Sequence, residues 1–280
     1  SYESTIHFEI SQITDAKRIK NLQKAIEETL SIVSVAVNDW PAILEKLAMV
    51  RGQIAALSIS MKTYPIDEVV NFLQWIEDKN FILLGFVEYD ISTTKDTTNF
   101  NAVKNSSLGI FNEQHIKNYQ FDDLKQISRN IFDPINDKPF IIDVAKSDTK
   151  APVHRPVHMD NIRVQKFDKK GKVVGEYRFF GLFTSVVYYQ SARLIPILRK
   201  NIEYVVERSD FNPNGHNGKE LISVLESYPR EELFQINRDE LFEISMGIIA
   251  LSGCSTARLF ARRDKFERFV SVFCFITKES

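Results

Sequence analysis

The stretch that decides the fold is Pro156–Tyr189, which reads PVHMDNIRVQKFDKKGKVVGEYRFFGLFTSVVYY. The segment Asp168–Gly171 is typical of a hairpin turn, because glycine takes a positive φ without steric cost. From Phe179 to Tyr188 nearly every residue is apolar. A strand that is apolar on both faces is one that is covered on both faces. The pattern therefore predicts a long β-hairpin whose second arm, as far as Tyr188, lies in the middle of a sheet.

Before this hairpin the periodicity predicts helices and single strands. Apolar residues recur at helical spacing from Ile19 to Val37, behind a cap at Thr14 or Asp15. Pro41 is predicted to end that helix and to begin a second one that Asp39 caps. The other predictions here are a strand at Thr5–Ile10, a helix after Pro65, a strand at Phe81–Ile91, an exposed loop at Thr93–Lys104, a short strand at Leu108–Phe111, a weak helix at Glu113–Ile131 and a strand at Phe140–Ala145.

After the hairpin the pattern becomes mostly helical. Within the second arm of the first hairpin, Gly175 and Gly181 predict bulges or a close approach of neighbouring backbone. The predicted elements beyond it are a helix at Ser191–Glu207, a helix at Lys219–Ser227, a segment that starts at Pro229, a helix capped by Asn237, and a second hairpin with arms Ser255–Ala261 and Phe269–Ile276.

Composition excludes several classes of protein. Of 280 residues, 36 are Lys or Arg and 37 are Asp or Glu, so nonspecific electrostatic binding of nucleic acid is not expected. No apolar run is long enough to span a bilayer, so no membrane partner is expected either. The two cysteines, Cys254 and Cys274, imply no disulfide framework and favour a cytoplasmic protein. The absence of an initiator methionine suggests an expressed fragment.

Recognisable catalytic motifs are absent from the sequence. No G-x-G-x-x-G, P-loop, G-x-S-x-G, H-E-x-x-H or C-x-x-C pattern occurs, so we expect no catalytic residue and no cofactor site in this chain. His154, His158 and Asp160 lie close in sequence, but a metal needs more converging ligands, so we expect no metal. A hydrolase that uses one of these histidines with Asp160 is the weakest alternative, because no nucleophile is marked out.

Three arginines are the candidates for binding a ligand. Arg155, Arg163 and Arg178 could grip the carboxylate of an amino-acid effector through the guanidinium fork. The competing interpretation pairs them with Glu88, Asp160 or Glu176 in ordinary ion pairs.

A second set of candidates combines charge with apolar anchors. Arg230 precedes Leu233 and Phe234, and Arg262 follows Leu259 and Phe260. Charges beside buried anchors suit an interface between domains or subunits, so we predict an interface at Arg230, Leu233, Phe234 and Arg262. Plain solvated charge runs are the alternative.

The chain resembles a known family through several strings. They are VHRP at 153–156, GLFTS at 181–185, YPREELFQI at 228–236, RLFARRD at 258–264, RFVS at 268–271, FILLGF at 81–86 and DW at 39–40. These are similar to the non-catalytic N-terminal half of the large NAD-specific glutamate dehydrogenases of bacteria. The resemblance implies a parent enzyme that uses NAD to convert glutamate to 2-oxoglutarate and ammonia, forms a homo-oligomer and carries its catalytic domain elsewhere.

The expected fold class is α+β, with antiparallel-sheet modules of PAS and ACT type joined by long helices. The ACT label comes from the resemblance, whereas the element order is compatible with a PAS-like sheet. The expected domains are the tail of an ACT-like module with long helices at 1–64, a PAS-like domain at 65–190, a helical connector at 191–252 and the first hairpin of a further ACT-like module at 253–280. The expected role is regulation or scaffolding beside the catalytic domain, and the alternative is a stand-alone PAS-like sensor of a small ligand.

Overall fold

The structure is a computed structural model that describes residues 5–58, 64–93, 98–112, 140–251, 257–264 and 269–276. Its α-helices are α1 (Ala16–Ala55), α2 (Ile66–Trp75), α3 (Ser185–Tyr189), α4 (Leu198–Ser209), α5 (His216–Ser227), α6 (Arg230–Gln235) and α7 (Arg238–Ile249). Its strands are β1 (Phe81–Thr93), β2 (Thr98–Ala102), β3 (Leu108–Gly109), β4 (Ile142–Lys150), β5 (His158–Phe167), β6 (Val173–Phe183), β7 (Ala257–Arg263) and β8 (Val270–Ile276). Among these residues no helix is both long and apolar enough to cross a membrane.

One antiparallel sheet forms the centre of the fold. Its strand order is β2-β1-β6-β5-β4, and β3 also pairs with β1. The predicted hairpin is confirmed as β5 and β6, with Gly171 at φ 76° in its turn. β6 lies between β1 and β5, as its apolar character predicted. A second, two-stranded antiparallel sheet pairs β7 with β8, which confirms the second predicted hairpin.

The second arm of the first hairpin is shorter than predicted. β6 ends at Phe183, which pairs with Phe81, the first residue of β1. Beyond Phe183 neither neighbour continues, so the backbone turns into the short helix α3 instead of running on to Tyr188. The apolar run was a poor guide to the end of the strand because apolar residues are buried equally well in a helix.

Helix α1 corrects the prediction of a break at Pro41, since it continues through Pro41 to Ala55. Asp39 is therefore no helix cap. Its Oδ2 instead accepts hydrogen bonds from the Gly109 backbone N–H at 2.7 Å and from Asn112 Nδ2 at 2.8 Å. Of the two predicted caps, Thr14 and Asp15, the structure selects Asp15, whose side chain accepts from the Lys17 N–H.

The apolar stripe at the start of α1 is exposed. Its members are between 39% and 64% exposed: Ile19, Leu22, Ile26, Leu30, Val33 and Val37. Burial on α1 begins at Ile32 and continues on a face that includes Ile43 and Leu47. The predicted strand at Thr5–Ile10 is wrong, because these residues form no strand and their apolar side chains are exposed. No strand among the described residues pairs with them, and a lone strand is not stable in water.

Two further predictions need correction. The polar segment at Thr93–Lys104 contains the edge strand β2, because β1 extends far enough to pair with it. The predicted helix at Ser191–Glu207 is split into a 3₁₀ turn at Ala192–Leu194 and α4. Pro196 explains the split, since the residue before a proline is driven out of the helical region and Ile195 has ψ 122°. The predicted helix at Glu113–Ile131 lies outside the described residues.

The sheet is buried on both faces. One face packs with α2, the second half of α1 and helices α4–α7 in a single apolar cluster that runs from Ile43 to Ile249 in sequence. The other face forms a smaller cluster with Ile32 and Ala36 of α1. Residues of the predicted sheet domain and of the predicted helical connector thus share one core. The PAS and ACT labels stay predictions.

Candidate functional site

A row of charged residues crosses the face of the sheet that carries the smaller cluster. Arg163 of β5 and Arg178 of β6 are directly opposite each other, and both are 0% exposed. Side chains two residues apart on a strand share a face. Glu176 therefore projects beside Arg178, with Gln165 opposite it. Alternation of polar and apolar side chains along a strand usually means that the polar face is solvated, but here the polar row is buried inside the protein.

Glu176 binds both arginines. Its Oε1 accepts from Arg163 Nε at 3.0 Å and from Arg178 Nε at 2.5 Å, and its Oε2 accepts from Arg163 Nη2 at 2.9 Å. Arg163 also donates to Asp143 Oδ2 at 3.0 Å. Burial by itself would raise the pKa of Glu176, but the charges and hydrogen bonds of the two arginines outweigh it and lower the pKa to about 2.

Arg178 has guanidinium nitrogens that form no hydrogen bond with the described residues. Its Nη1 and Nη2 are buried and have no hydrogen-bond partner among the described residues. The guanidinium carbon lies 4.5 Å from the ring centre of Tyr89 and 5.8 Å from that of Phe100. The stacked rings hold the guanidinium in position and contribute no acceptor.

Three more buried polar atoms surround this guanidinium without partners in the described structure. They are the Tyr89 hydroxyl, Asn161 Oδ1 and Gln165 Oε1. Pairing places each of these residues diagonal to Arg178 on the same face, within reach of long side chains. Burial raises the pKa of Tyr89 to about 12, so its hydroxyl remains neutral and can donate. We call Tyr89, Asn161, Gln165 and Arg178 the buried polar face.

The buried polar face is costly as it stands. An unsatisfied buried polar group costs about 1–3 kcal/mol, and more when it is charged. Native proteins pair most buried polar groups, so such a concentration calls for a bound molecule or ordered water. Sequence reasoning missed Tyr89, Asn161 and Gln165. For Asn161 and Gln165 the only signal was their period of two beside Arg163 in the first arm of the predicted hairpin, whereas Tyr89 lies in β1 and no sequence pattern marked it.

The three predicted effector arginines are therefore in different situations. Arg163 pairs with Glu176 and Asp143, which is the competing interpretation given above. Arg178 pairs with Glu176 through one nitrogen and has two more to offer. Arg155 donates through Nη2 to the Phe183 carbonyl at 2.8 Å, away from the other two. The structure brings Arg163 and Arg178 together and leaves Arg155 out of the row.

A second charged cluster lies where the sheet meets the helices. Lys146 Nζ is 2.9 Å from Asp160 Oδ1 and 3.1 Å from Glu231 Oε2, and the Tyr188 hydroxyl also contacts Glu231. Burial raises the pKa of Asp160 to about 6, although Lys146 acts to lower it. The cluster joins β4 and β5 to α6.

The histidines do not assemble a catalytic pair. His158 Nδ1 lies 3.1 Å from the Ser147 carbonyl and its ring packs edge-on to Phe269 at 4.9 Å, whereas Asp160 binds Lys146. His154 has φ 75° in the connection before β5. Across the described ranges no three His, Cys, Asp or Glu side chains converge as metal ligands would. Cys254 lies outside the described residues, and Cys274 is exposed.

The predicted interface residues make contacts within this chain. Phe234 stacks on Phe183 with ring centres 4.5 Å apart, and Leu233 is 1% exposed. Arg230 donates to the Gln190, Glu226 and Tyr228 carbonyls. Arg262 binds Glu232 of α6 through Nε at 3.0 Å. These contacts join the helices to both sheets, and a role between subunits stays a prediction.

Comparison with known proteins gives a consistent set of matches. A family model described as glutamate dehydrogenase, helical motif 1, matches residues 195–253, which include α4–α7. The NAD-specific glutamate dehydrogenase of Halomonas elongata is 34% identical over 99% of this chain, and that of Pseudomonas aeruginosa is 31% identical over 100%. The enzyme of the same name from Mycobacterium tuberculosis is 22% identical over 99%.

The matched region is a small part of each relative. The chain spans 17% of the length of the Halomonas and Pseudomonas proteins and 16% of the Mycobacterium protein. The alignments extend over nearly all of this chain in each case, so they do not depend on one shared motif. By this similarity, the chain belongs to the family of large NAD-specific glutamate dehydrogenases.

Proposed function

We propose that this chain is a regulatory and scaffolding section of a large NAD-dependent glutamate dehydrogenase and is itself non-catalytic. The whole protein would oxidise L-glutamate to 2-oxoglutarate and ammonia with NAD. The partners of this section would be its own catalytic domain, further copies of the same protein in a homo-oligomer, and an amino-acid effector. The proposed compartment is the cytoplasm.

The observation that carries the proposal is the pattern of the matches. Relatives named for the dehydrogenase align with nearly all of this chain, yet the chain spans only 17% of two of them. The fold supports a role other than hydride transfer, because dinucleotide sites of the common type need a glycine-rich turn between a parallel strand and a helix. The strands of the described ranges pair only in antiparallel fashion.

The shared core suits a scaffold. Glu68, which is 2% exposed, accepts from the Ile197 backbone N–H at 2.8 Å and binds Arg199 through both oxygens at 2.7 Å. This contact joins α2 to α4, and the stack of Phe183 on Phe234 joins β6 to α6. A section that is internally rigid can hold a catalytic domain in a defined position.

The test compares the 280-residue chain with the whole protein that contains it. The isolated chain, supplied with glutamate and NAD, should produce no NADH, whereas the whole protein should. Deleting the region from the whole protein should change its oligomeric state or its dependence on glutamate concentration. Steady NADH production by the isolated chain would overturn the proposal, and so would a deletion that changes neither property.

A stand-alone sensor of a small ligand is the second candidate. The buried polar face favours it, since its donors and acceptors have no partner among the described residues and could bind polar groups of a small molecule. The two candidates differ in one observable. A stand-alone sensor would work unchanged when separated from any catalytic domain, whereas a regulatory section must change the kinetics of the whole enzyme when its ligand binds.

A further inference from the structure

We propose that the buried polar face formed by Tyr89, Asn161, Gln165 and Arg178 binds a free α-amino acid. The inference rests on the regulatory role proposed above and names the site and the chemical class of its ligand. It goes beyond the candidates found in the sequence, because Tyr89, Asn161 and Gln165 were not among them. Of the three predicted arginines only Arg178 belongs to this site, and Arg155 and Arg163 do not.

The donors of the site match a carboxylate. Arg178 uses Nε on Glu176, which leaves Nη1 and Nη2 for a second acceptor. A carboxylate fits this pair of nitrogens through two parallel hydrogen bonds. The Tyr89 ring lies against the guanidinium, so its hydroxyl is placed at the same part of the face and can donate to the same ligand.

The acceptors of the site call for N–H groups on the same ligand. Asn161 Oδ1 and Gln165 Oε1 have no donor among the described residues. A simple carboxylate offers only acceptors at neutral pH and would leave both amide oxygens unsatisfied. Inorganic phosphate does carry a P–OH donor, but it would bring a net negative charge into a buried site. An ammonium group next to a carboxylate satisfies one of them, and an N–H-bearing side chain or a water satisfies the other.

Charge balance favours a ligand with no net charge. Arg163 and Arg178 are fully buried, and the carboxylates of Glu176 and Asp143 lie beside them. The row is therefore already balanced, and an added net charge would be buried without compensation. The head group of an α-amino acid supplies opposite charges close together, so it satisfies donors and acceptors without changing the balance.

The experiment is a thermal-shift screen of the purified 280-residue chain against the common L-amino acids, with inorganic phosphate as a separate arm. Calorimetry then compares any hit with its analogue lacking the amino group and its analogue lacking the carboxylate. We expect one class of amino acid to raise the melting temperature. Each analogue should bind at least about tenfold more weakly, because each loses charge-assisted hydrogen bonds.

Variants connect the binding to the site. Tyr89→Phe removes only the hydroxyl, and Arg178→Lys keeps the charge but loses the fork, so each should weaken binding by about tenfold or more. Tyr177→Phe is the matched control, because its hydroxyl binds Gln53 Oε1 at 3.0 Å and its side chain packs with the opposite face of the sheet. If Arg178→Lys fails to fold, Tyr89→Phe and Asn161→Ala decide the matter.

Several outcomes would overturn the proposal. They are the absence of any shift with the amino acids, equal binding of the analogue without an amino group, binding of phosphate alone, and binding that Tyr89→Phe and Asn161→Ala leave unchanged. Each is distinct from a failure of the proposed function, which is measured by deleting the region from the whole enzyme. A scaffold without a ligand would still change the oligomeric state when it is removed.

Discussion

At the scale of single residues, two buried carboxyl groups show how surroundings decide ionisation. Glu176 has two arginines as partners and its pKa falls to about 2. Asp160 has one lysine, which it shares with Glu231, and burial raises its pKa to about 6. The two groups therefore affect the pH dependence of stability with opposite sign.

Replacing Glu176 with glutamine should lower the free energy of unfolding by about 3–5 kcal/mol, because it leaves two buried arginines without their carboxylate. Since the folded-state pKa is lowered, the contribution of Glu176 is present above pH 4.5 and is lost as the pH falls towards 2. Urea unfolding at several pH values measures both effects. Asp90→Asn is the control, because Asp90 pairs with Lys166 at a 58% exposed position and should cost no more than about 1 kcal/mol.

Replacing Asp160 with asparagine should flatten the pH dependence of stability between pH 4 and pH 7. The folded state of the wild type holds the proton more tightly than the unfolded chain, so its stability falls as the pH rises from 3.8 to about 6. The difference in unfolding free energy between wild type and variant should change by about 1–3 kcal/mol over that range. Parallel curves for the two proteins would contradict this.

At the scale of elements, close approach of strands decides where glycine is required. A Cβ built on Gly181 would lie 1.9 Å from the Ile82 carbonyl oxygen, and one built on Gly175 would lie 2.3 Å from the Tyr89 carbonyl oxygen. The sequence marked both glycines in the second arm as points of close approach or bulges, and these short distances across the β1–β6 pair confirm close approach. By contrast, a Cβ on Gly52 of α1 would meet nothing within 4 Å.

Alanine at these two kinds of glycine should have opposite effects. Gly181→Ala should lower the unfolding free energy by about 1–3 kcal/mol, because β1 and β6 must separate to admit the methyl group. Gly52→Ala should raise it by about 0.5–1 kcal/mol, since alanine is the better helix former and the site is open. Chemical denaturation of both variants checks the pair, and a destabilised Gly52→Ala would show that α1 is packed there by something further.

At the scale of the whole molecule, one apolar cluster connects segments that the sequence had assigned to different domains. The rings of Phe72, Trp75, Phe183 and Phe234 pack together where α2, the sheet and α6 meet. Arg262 and Ser271 of the second sheet bind Glu232 of α6. The sheet, α2, α6 and the second sheet are therefore joined by direct contacts among the described residues.

Truncating Phe234 to alanine should destabilise the sheet and the helices together, by about 3–5 kcal/mol. In a Trp40→Phe background the remaining Trp75 fluorescence reports on the aromatic junction, and far-ultraviolet circular dichroism reports on all the helices, so the two unfolding transitions should coincide and shift together. Tyr189→Ala, at a 91% exposed position, should leave both within about 0.5 kcal/mol of wild type. Two separate transitions would mean that sheet and helices unfold independently.

The sequence by itself determined the hairpin of β5 and β6, its turn at Gly171, the central place of β6, the cap at Asn237 and, to within one residue, the cap of α1. These are local, since turn chemistry, side-chain period and capping depend on neighbours along the chain. Tertiary structure decided where β6 ends, that α1 runs through Pro41, and that Arg178 keeps two unpartnered nitrogens while Arg163 binds both Glu176 and Asp143. Those outcomes depend on which strand lies alongside and which carboxylate lies across the sheet, and residues distant in sequence supply both.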